Sequence, residues 1–345
     1  MMHLKKILLG VICFTVMMSG GTANAYDLKE ISLRELGDVW FGNAQDDTAK
    51  TGVTIAIFPK GARCGVDISG GGPASRETPV ISPTTAPTPV NAIVLSGGSA
   101  YGLAASDGVM TWLEERGIGF DTGAALVPIV VQSCIYDLAY GSATVRPDAA
   151  MGRAACEAAY RHEEFLSGSV GAGTGATVGK FGGMNRAMKS GLGFYAVEVD
   201  GLKLAALVVV NAVGDVYDER TGKKIAGLLT EDRKHFADSR AELYNLKPQI
   251  FPASNTTLGI IITNGNFDKT QLTKIASMTR NAYARSIKPV GTLFDGDAIY
   301  AASVGEVSAD LNMVGTLAAQ VMSEAIRRAV DTNKQRGNDI EQELS

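Results

Sequence analysis

Histidine is almost absent from this sequence of 345 residues, which contains three. His3 lies in an N-terminal segment with the features of a signal peptide, which leaves His162 and His235 for the rest of the chain. Both lie in short charged stretches that are typical of solvated surfaces. A Ser-His-Asp or Cys-His catalytic site, or a histidine-rich zinc site, would have to use one of these two residues. The sequence therefore argues against all three classes of site.

Cysteine is also scarce. The chain has four, of which Cys13 lies in the N-terminal segment, so that Cys64, Cys134 and Cys156 remain. An odd number allows at most one disulfide bond and leaves one thiol over. No CxxC or other metal-binding spacing occurs, which favours buried small side chains over a metal site.

An excess of basic residues and a long hydrophobic run are missing as well. The formal net charge is −4 at pH 7, with both signs mixed along the chain. Domains that bind nucleic acid usually carry a basic patch, so no nucleic-acid partner is predicted. The apolar run at residues 7–18 is shorter than the roughly 20 residues that span a bilayer.

Residues 1–25 resemble a secretory signal peptide. Lys5-Lys6 precedes the apolar run, and Ala23-Asn24-Ala25 forms a small-x-small cleavage site. We predict a periplasmic or secreted protein whose mature chain, residues 26–345, is a single domain with no membrane contact after signal removal. The alternative is a retained N-terminal anchor.

The mature chain is long enough to bury a large core. Its apolar runs predict strands at residues 53–58, 64–69, 92–95, 127–131, 191–199, 203–211 and 258–263. Helical spacing predicts four helices. One ends near residue 117, and the others cover residues 148–164, 270–286 and 310–330. Residues 221–247 are mostly polar and predict a surface stretch. Because strands and helices mix without a βαβ alternation, we expect an α+β sandwich with helices outside two sheets.

Two glycine-rich stretches stand beside predicted strands. The run Gly70-Gly71-Gly72 permits a sharp turn or a close backbone approach. Residues 96–103 connect a strand to a helix, and a turn of this kind offers free N–H groups to an anion or oxyanion. The Walker lysine and a GxGxxG motif are missing there, which disfavours the alternative of a nucleotide site.

Residues 254–258, Ser-Asn-Thr-Thr-Leu, open the predicted strand at 258–263. If the Asn255–Thr256 bond were cut, the hydroxyl of Thr256 and its own α-amine would serve as nucleophile and base within one residue. An α-amine titrates near pH 8 (about 7.7–8.0), so part of it is neutral at working pH. The same hydroxyl could make the cut by attacking the Asn255 carbonyl to give an ester that water opens. The alternative is an ordinary turn into a strand.

Five motifs occur in a fixed order along the chain. They are Gly70-Gly71-Gly72-Pro73-Ala74-Ser75-Arg76-Glu77-Thr78, Leu95-Ser96-Gly97-Gly98-Ser99-Ala100-Tyr101-Gly102-Leu103, Gly171-Ala172-Gly173-Thr174-Gly175-Ala176, Asn255-Thr256-Thr257 and Asp295-Gly296-Asp297. Together they resemble the L-aminopeptidase/D-esterase and β-peptidyl aminopeptidase family, which includes nylon-oligomer (6-aminohexanoate) hydrolases. The resemblance covers about residues 30–330.

The resemblance implies an N-terminal-nucleophile hydrolase with a four-layer αββα sandwich. Such a protein cleaves itself, here into residues 26–255 and 256–345, and assembles as a homo-oligomer of these pairs, often a tetramer. No metal or organic cofactor is implied. Many members use serine as the nucleophile, and Thr256 is closer to the nylon-hydrolase branch.

Five further residues take roles from the resemblance. Asn211 would polarise a carbonyl or bind the oxyanion, and Lys180 would lower the pKa of the α-amine and stabilise negative charge. Asp295 and Asp297 would point at Thr256 and orient it, at positions where serine-type members carry Ser and Glu. The hydroxyl of Tyr136 would reach the oxyanion region. Without the resemblance, these residues are compatible with turns, a loop lysine and a core tyrosine.

We therefore predict an enzyme that releases N-terminal residues from short peptides, amides or esters through an acyl-enzyme on Thr256. An aminopeptidase needs an anionic pocket for the substrate ammonium, which Asp137 or Glu77 would supply. Gly98 and Ser99 complete the predicted substrate-binding residues. The alternatives are an endo-type 6-aminohexanoate hydrolase, an acyltransferase of the same fold, and a non-catalytic protein with an uncut Asn-Thr turn.

Overall fold

The computed structural model describes residues 28–245 and 255–343, with side chains described as far as residue 332. The predicted signal peptide and Ser254 lie outside the described residues. Within these ranges, no helix combines the length and the apolar character needed to cross a bilayer. Cys64, Cys134 and Cys156 are buried, as the sequence predicts, and all three are free thiols, so the one disulfide bond that their number allows is not formed.

One connected set of ten strands organises the described chain. In chain order these strands are β1 (Lys29–Glu30), β2 (Trp40–Asp46), β3 (Thr51–Ile68), β4 (Ser75–Arg76), β5 (Val90–Ser96), β6 (Val130–Cys134), β7 (Leu192–Val199), β8 (Leu202–Asn211), β9 (Thr256–Gly265) and β10 (Ala298–Val307). Their spatial order is β1-β7-β8-β9-β10-β3-β5-β6-β4, with β2 paired to β3.

Strand β3 joins two sheets. Its first part pairs with β2 and β5, and its last part, residues 63–68, pairs with β10. The register shifts between Ile57 and Ala62, next to Gly61 at φ 77°. The sequence predicts separate strands at 53–58 and 64–69, whereas the structure has one strand of 18 residues. The bulge lets a single strand leave one sheet and enter the other.

Helices cover the outer faces of both sheets. In chain order the helices are α1 (Ala105–Glu114), α2 (Ala149–Tyr160), α3 (Ser239–Asn245), α4 (Lys269–Ser286) and α5 (Leu311–Glu343). Helices α1 and α2 cover one sheet and α4 and α5 the other, whereas α3 lies in the polar stretch after β8. Asp148 caps α2, accepting a hydrogen bond from Met151 N, and Asp268 forms a capping box with Gln271 at the start of α4. The predicted helix at 148–164 is therefore real but ends four residues earlier.

Alternation along the strands creates the layers. Odd-numbered residues of β3, Val53, Ile55 and Ile57, pack against α1 and α2, while Ala56 and Phe58 face the other sheet. On β8 the even-numbered residues contact α4 and α5 and the odd-numbered ones face inward. These are Leu204, Ala206, Val208 and Val210 on the outer face and Ala205, Leu207 and Val209 on the inner face. The result is a helix–sheet–sheet–helix sandwich, which confirms the predicted architecture.

The polar stretch after β8 is tied down more firmly than its composition predicts. Buried Asp215 accepts hydrogen bonds from the backbone of Leu228 (2.7 Å), from the backbone and hydroxyl of Ser239 (3.0 and 2.8 Å) and from Lys224 Nζ (2.7 Å). One carboxylate thus anchors three points of the stretch. A buried charge is stable here because each oxygen has partners.

Candidate active site

The ends of three adjacent strands bring the predicted site together. Antiparallel pairing places Asn211, the last residue of β8, opposite Thr256, the first residue of β9. Parallel pairing of β9 with β10 aligns Leu258 with Ala298, so that the segment just before β10 lies beside Thr256. Because neighbouring strands lie about 4.8 Å apart, residues distant in sequence become neighbours at this edge.

Thr256 is 4% exposed. Its hydroxyl donates a hydrogen bond to the carbonyl oxygen of Asn255. The hydroxyl therefore lies against the carbonyl group of the very bond that the sequence predicts to be cut.

Lys180 reaches Asn211. Its Nζ donates to the Asn211 backbone oxygen (2.9 Å) and to Asn211 Oδ1 (2.7 Å). Burial lowers the pKa of Lys180 to about 7, although the nearby carboxylates of Asp295 and Asp137 act in the opposite direction. Lys180 thus changes charge near neutral pH, at hydrogen-bond distance from the residue that pairs with Thr256.

Asn211 is held on both sides of its amide. Oδ1 also accepts from Thr177 N (3.0 Å), and Nδ2 donates to the backbone oxygen of Tyr136 (2.9 Å). An amide nitrogen carries two N–H groups, and the part of the chain that the structure describes accepts a hydrogen bond from one of them. The action of the other on a substrate carbonyl stays a prediction. Tyr136 joins this network through its backbone, and the role of its hydroxyl stays a prediction.

Asp295 and Asp297 are completely buried. Asp295 accepts from the backbone and hydroxyl of Thr292 (3.0 and 2.6 Å), and Asp297 accepts from Thr257 N (2.6 Å) and Gly291 N (3.0 Å). These hydrogen bonds go to groups of Thr292, Thr257 and Gly291, because the buried donors of these turns require acceptors. That both carboxylates also orient Thr256 stays a prediction.

The two carboxyls also influence one another. Burial, and then the charge of Asp295, raises the pKa of Asp297 to about 8. Burial also raises the pKa of Asp295, although the hydrogen bonds from Thr292 act against it. Two carboxylates in a site shielded from water do not both ionise readily, so the pair retains a proton near neutral pH.

The first glycine run packs against this segment. Gly70 N donates to Asp297 O (3.1 Å) and Gly72 N to Asp295 O (2.8 Å). A Cβ on Gly70 would lie 2.2 Å from Asp297 N. Of the two alternatives that the sequence leaves for this run, a sharp turn or a close backbone approach, the structure shows the close approach, with the loop that carries both carboxylates as its partner.

The second glycine turn differs from the prediction. Gly97 N donates to Gly52 O (2.9 Å), Gly98 N to Asp137 Oδ1 (2.7 Å) and Ser99 N to Ile135 O (2.9 Å). The expectation that this turn offers free N–H groups is therefore wrong for these three residues. Contact of Gly98 and Ser99 with substrate through other groups stays a prediction.

The two predicted ammonium-binding residues have different environments. Asp137 is buried, and its oxygens accept hydrogen bonds from Gly98 N and from Thr51 Oγ1 (2.7 Å). Burial raises the pKa of Asp137, against the effect of these two bonds. Glu77 is exposed, in a left-handed conformation at φ 58°. Asp137 thus holds the Gly97–Gly98 turn in place, and no contact in the described residues connects Glu77 to Thr256.

Sequence reasoning missed a second half-buried lysine with a lowered pKa. Lys189 Nζ donates to the backbone oxygens of Gly173 (2.9 Å) and Ala176 (3.1 Å), and also to that of Ser190. Burial lowers the pKa of Lys189 to about 7. Only the folded glycine segment places these carbonyl groups around one ammonium. No group of three or more His, Cys, Asp or Glu residues suited to hold a metal occurs in the described ranges.

Asp297→Asn should remove a pH dependence of stability. In the folded protein the pKa of Asp297 is about 8, above its ordinary value of 3.8. The contribution of Asp297 to the free energy of unfolding is therefore complete below about pH 4 and is lost as the pH rises through 8. The variant loses one acceptor, which costs about 1–3 kcal/mol. Thermal melts from pH 4 to 9, in a Thr256→Ala background that keeps the chain uncut, should show the difference between the two proteins narrowing as pH rises. A constant difference would contradict the prediction.

Gly70→Ala should displace the loop that carries Asp295 and Asp297. The added methyl group would meet backbone atoms that cannot rotate away, which costs about 1–3 kcal/mol of unfolding free energy. Gly119→Ala is the control, because its Cβ would lie 3.0 Å from the nearest atom instead of 2.2 Å. We expect Gly70→Ala, and not the control, to slow cleavage at Asn255–Thr256 in a time course on denaturing gels. Equal cleavage rates would show that the contact is unimportant.

Sequence comparison gives one family. The sequence profile of peptidase family S58 matches residues 35–337. An uncharacterized aminopeptidase of Mycobacterium leprae (strain TN) is 37% identical over 268 residues, 75% of this chain and 72% of the relative. A 6-aminohexanoate-oligomer endohydrolase of Agromyces sp. (strain KY5R) is 32% identical over 335 residues, 90% of this chain and 91% of the relative.

Solved structures share the fold. A beta-aminopeptidase of Burkholderia sp. superposes with a TM-score of 0.58 at 19% identity, covering 86% of this chain and 84% of that one. The L-aminopeptidase D-Ala-esterase/amidase from Ochrobactrum anthropi, described as a variant of the Ntn hydrolase fold, gives 0.61 at 18% identity, covering 84% and 82%. These likenesses confirm the predicted αββα sandwich of the N-terminal-nucleophile type.

Proposed function

This chain belongs to peptidase family S58, and from that premise we propose that it is a self-processing aminopeptidase or amidohydrolase with Thr256 as its nucleophile. It is a hydrolase of the N-terminal-nucleophile type, as the resemblance implies. The cut between Asn255 and Thr256 gives chains of residues 26–255 and 256–345. The observation that carries the proposal is the buried Thr256 hydroxyl, which contacts the carbonyl oxygen of the residue before it.

Turnover follows from the groups around Thr256. The freed α-amine takes the hydroxyl proton, the hydroxyl oxygen attacks the substrate carbonyl, and an acyl-enzyme forms as the amine product leaves. Water then opens the ester with the same amine as acid and base. We propose that the second N–H of Asn211 and the charge of Lys180, which is hydrogen-bonded to Asn211, stabilise the developing negative charge.

The substrates we propose are short peptides, amides or esters with a free N-terminus. One observation favours a second candidate, hydrolysis of internal amides in 6-aminohexanoate-like oligomers. The oxygens of Asp295, Asp297 and Asp137 accept hydrogen bonds from the protein itself. These three carboxyls are also buried, which disfavours them as partners of a substrate ammonium, whereas an internal amide needs no such partner.

We further propose a periplasmic or secreted location, which the signal-like residues 1–25 support, and a homo-oligomer of processed pairs. Light scattering of the purified protein measures the assembly. A mass equal to one processed pair would contradict it.

The proposal is tested on the purified protein by denaturing electrophoresis, intact-mass measurement and a substrate panel. We expect two polypeptides whose masses place the cut before Thr256, and hydrolysis of p-nitroanilides of L-amino acids. An N-blocked 6-aminohexanoate oligomer distinguishes the second candidate, because only an endo-type enzyme cleaves it. An active protein that remains one unbroken chain would overturn both.

A further inference from the structure

We infer that the backbone N–H of Gly296 stabilises the oxyanion during self-cleavage, and that the Asn255 side chain is the positioning residue that holds the scissile carbonyl against it. This inference rests on the self-cleavage proposed above. It concerns the formation of the enzyme, and Thr256 remains the nucleophile.

The donor and the carbonyl are already in contact. Gly296 N donates to the Asn255 backbone oxygen at 2.8 Å. Thr256 Oγ1 donates to the same oxygen. An N–H group at this distance stabilises negative charge on the oxygen as it develops, and does so most strongly where water is excluded.

The side chain of Asn255 secures this contact from the other direction. Its Nδ2 donates to the backbone oxygen of Phe294 (3.2 Å), and residues Asn255 and Asp295 form a parallel bridge. Asn255 is 5% exposed, and its buried Oδ1 has no hydrogen-bond partner among residues 28–245 and 255–343. Within this part of the chain, the side chain is thus fixed through its Nδ2 alone, which helps to hold the scissile carbonyl in position.

Only glycine fits at position 296, because neighbouring atoms leave no room for a Cβ. A Cβ there would lie 2.7 Å from Gly72 O and 3.0 Å from Thr256 Oγ1. The bond from Gly72 N to Asp295 O keeps the loop in contact with the glycine run. Backbone contacts with Asn255 on one side and with Gly72 on the other therefore fix the position of the Gly296 N–H group.

The reaction balances without a co-reactant other than water. Thr256 Oγ1 bonds to the Asn255 carbonyl carbon, and the carbonyl π electrons move to the oxygen that Gly296 N–H contacts. When the carbonyl re-forms, the C–N bond breaks and the hydroxyl proton ends on the Thr256 nitrogen, leaving an ester and a free amine. Water then cleaves the ester to give the Asn255 carboxyl group and the Thr256 hydroxyl.

The test is a processing time course of freshly synthesised full-length chain in a cell-free system. Asn255→Ala and Asn255→Asp both remove the bond to Phe294 O, and we expect each to slow cleavage about 10²-fold, because misplacement of a reacting group costs about this much. Asn264→Ala is the matched control. Asn264 lies on β9, the strand that Asn255 directly precedes, and its Nδ2 also donates to a backbone oxygen (Gly201, 3.0 Å). Its loss should leave the rate unchanged.

Two further measurements separate positioning from folding. The melting temperature of the uncut Asn255 variants should match that of uncut Thr256→Ala. Added hydroxylamine, which attacks esters, should not restore their rate, because the ester itself forms slowly. Wild-type rates in both variants, or full rescue by hydroxylamine, would overturn the inference. If the wild-type chain is not cut before Thr256, the proposed function fails instead.

Discussion

Thr256→Ala is expected to leave one uncut chain with no turnover. The change removes the oxygen that would attack Asn255 and, in the processed enzyme, the substrate. Removal of a nucleophile costs on the order of 10⁴-fold or more in rate. The fold should persist, because Thr256 begins β9 and its backbone pairing with Asn211 does not need the hydroxyl. Intact mass and p-nitroanilide hydrolysis measure both losses.

Two variants control this experiment. Thr256→Ser keeps the hydroxyl and loses only a methyl group that restricts the rotamer, so cutting and turnover should continue. Thr263→Ala removes another buried threonine hydroxyl on β9, one that donates to Lys203 O (2.9 Å) far from the cut. It should be processed normally. Turnover by Thr256→Ala at the wild-type rate would end the proposal.

Lys180→Met is expected to change the pH profile of kcat/KM as well as its size. With a pKa of about 7, Lys180 is charged below pH 7 and neutral above it. In the proposed mechanism, the charge of Lys180 stabilises the oxyanion through Asn211 and lowers the pKa of the Thr256 amine, so activity should fall as pH rises beyond about 7. Replacement by methionine should lower kcat/KM about 10²–10³-fold, abolish this falling limb and move the rising limb to higher pH.

Lys180→Arg and Lys189→Met test the assignment. Arginine stays charged at all working pH values, so a folded Lys180→Arg enzyme should lack the falling limb but keep the position of the rising limb. Lys189 has a similarly lowered pKa but contacts carbonyl groups of the glycine segment instead of Asn211. Lys189→Met should keep the wild-type profile. A falling limb near pH 7 that survives in Lys180→Met would assign it to another group.

Apolar runs in the sequence predicted some strands correctly and wrongly divided another. Alternating apolar runs predict the hairpin at 191–199 and 203–211, which the structure has as β7 and β8 within one residue. The same signal divides β3 into two strands, because Pro59, Lys60 and Gly61 interrupt the apolar pattern without ending the strand. Local composition indicates where side chains stop being buried. Whether the backbone hydrogen bonds of β3 continue past that point depends on its partner strands β2, β5 and β10.

By itself, the sequence determined the family, the layered architecture and the meeting of Thr256, Asn211 and Lys180, because ordered motifs and apolar periodicity are properties of the chain. Tertiary structure alone decided what those residues contact. It turned Asp295 and Asp297 toward backbone N–H groups, used the amides of Gly97, Gly98 and Ser99 internally, and placed Gly296 N–H on the Asn255 carbonyl. The physical reason is that buried donors must find acceptors, and which donors are buried together depends on strands and loops far apart in sequence.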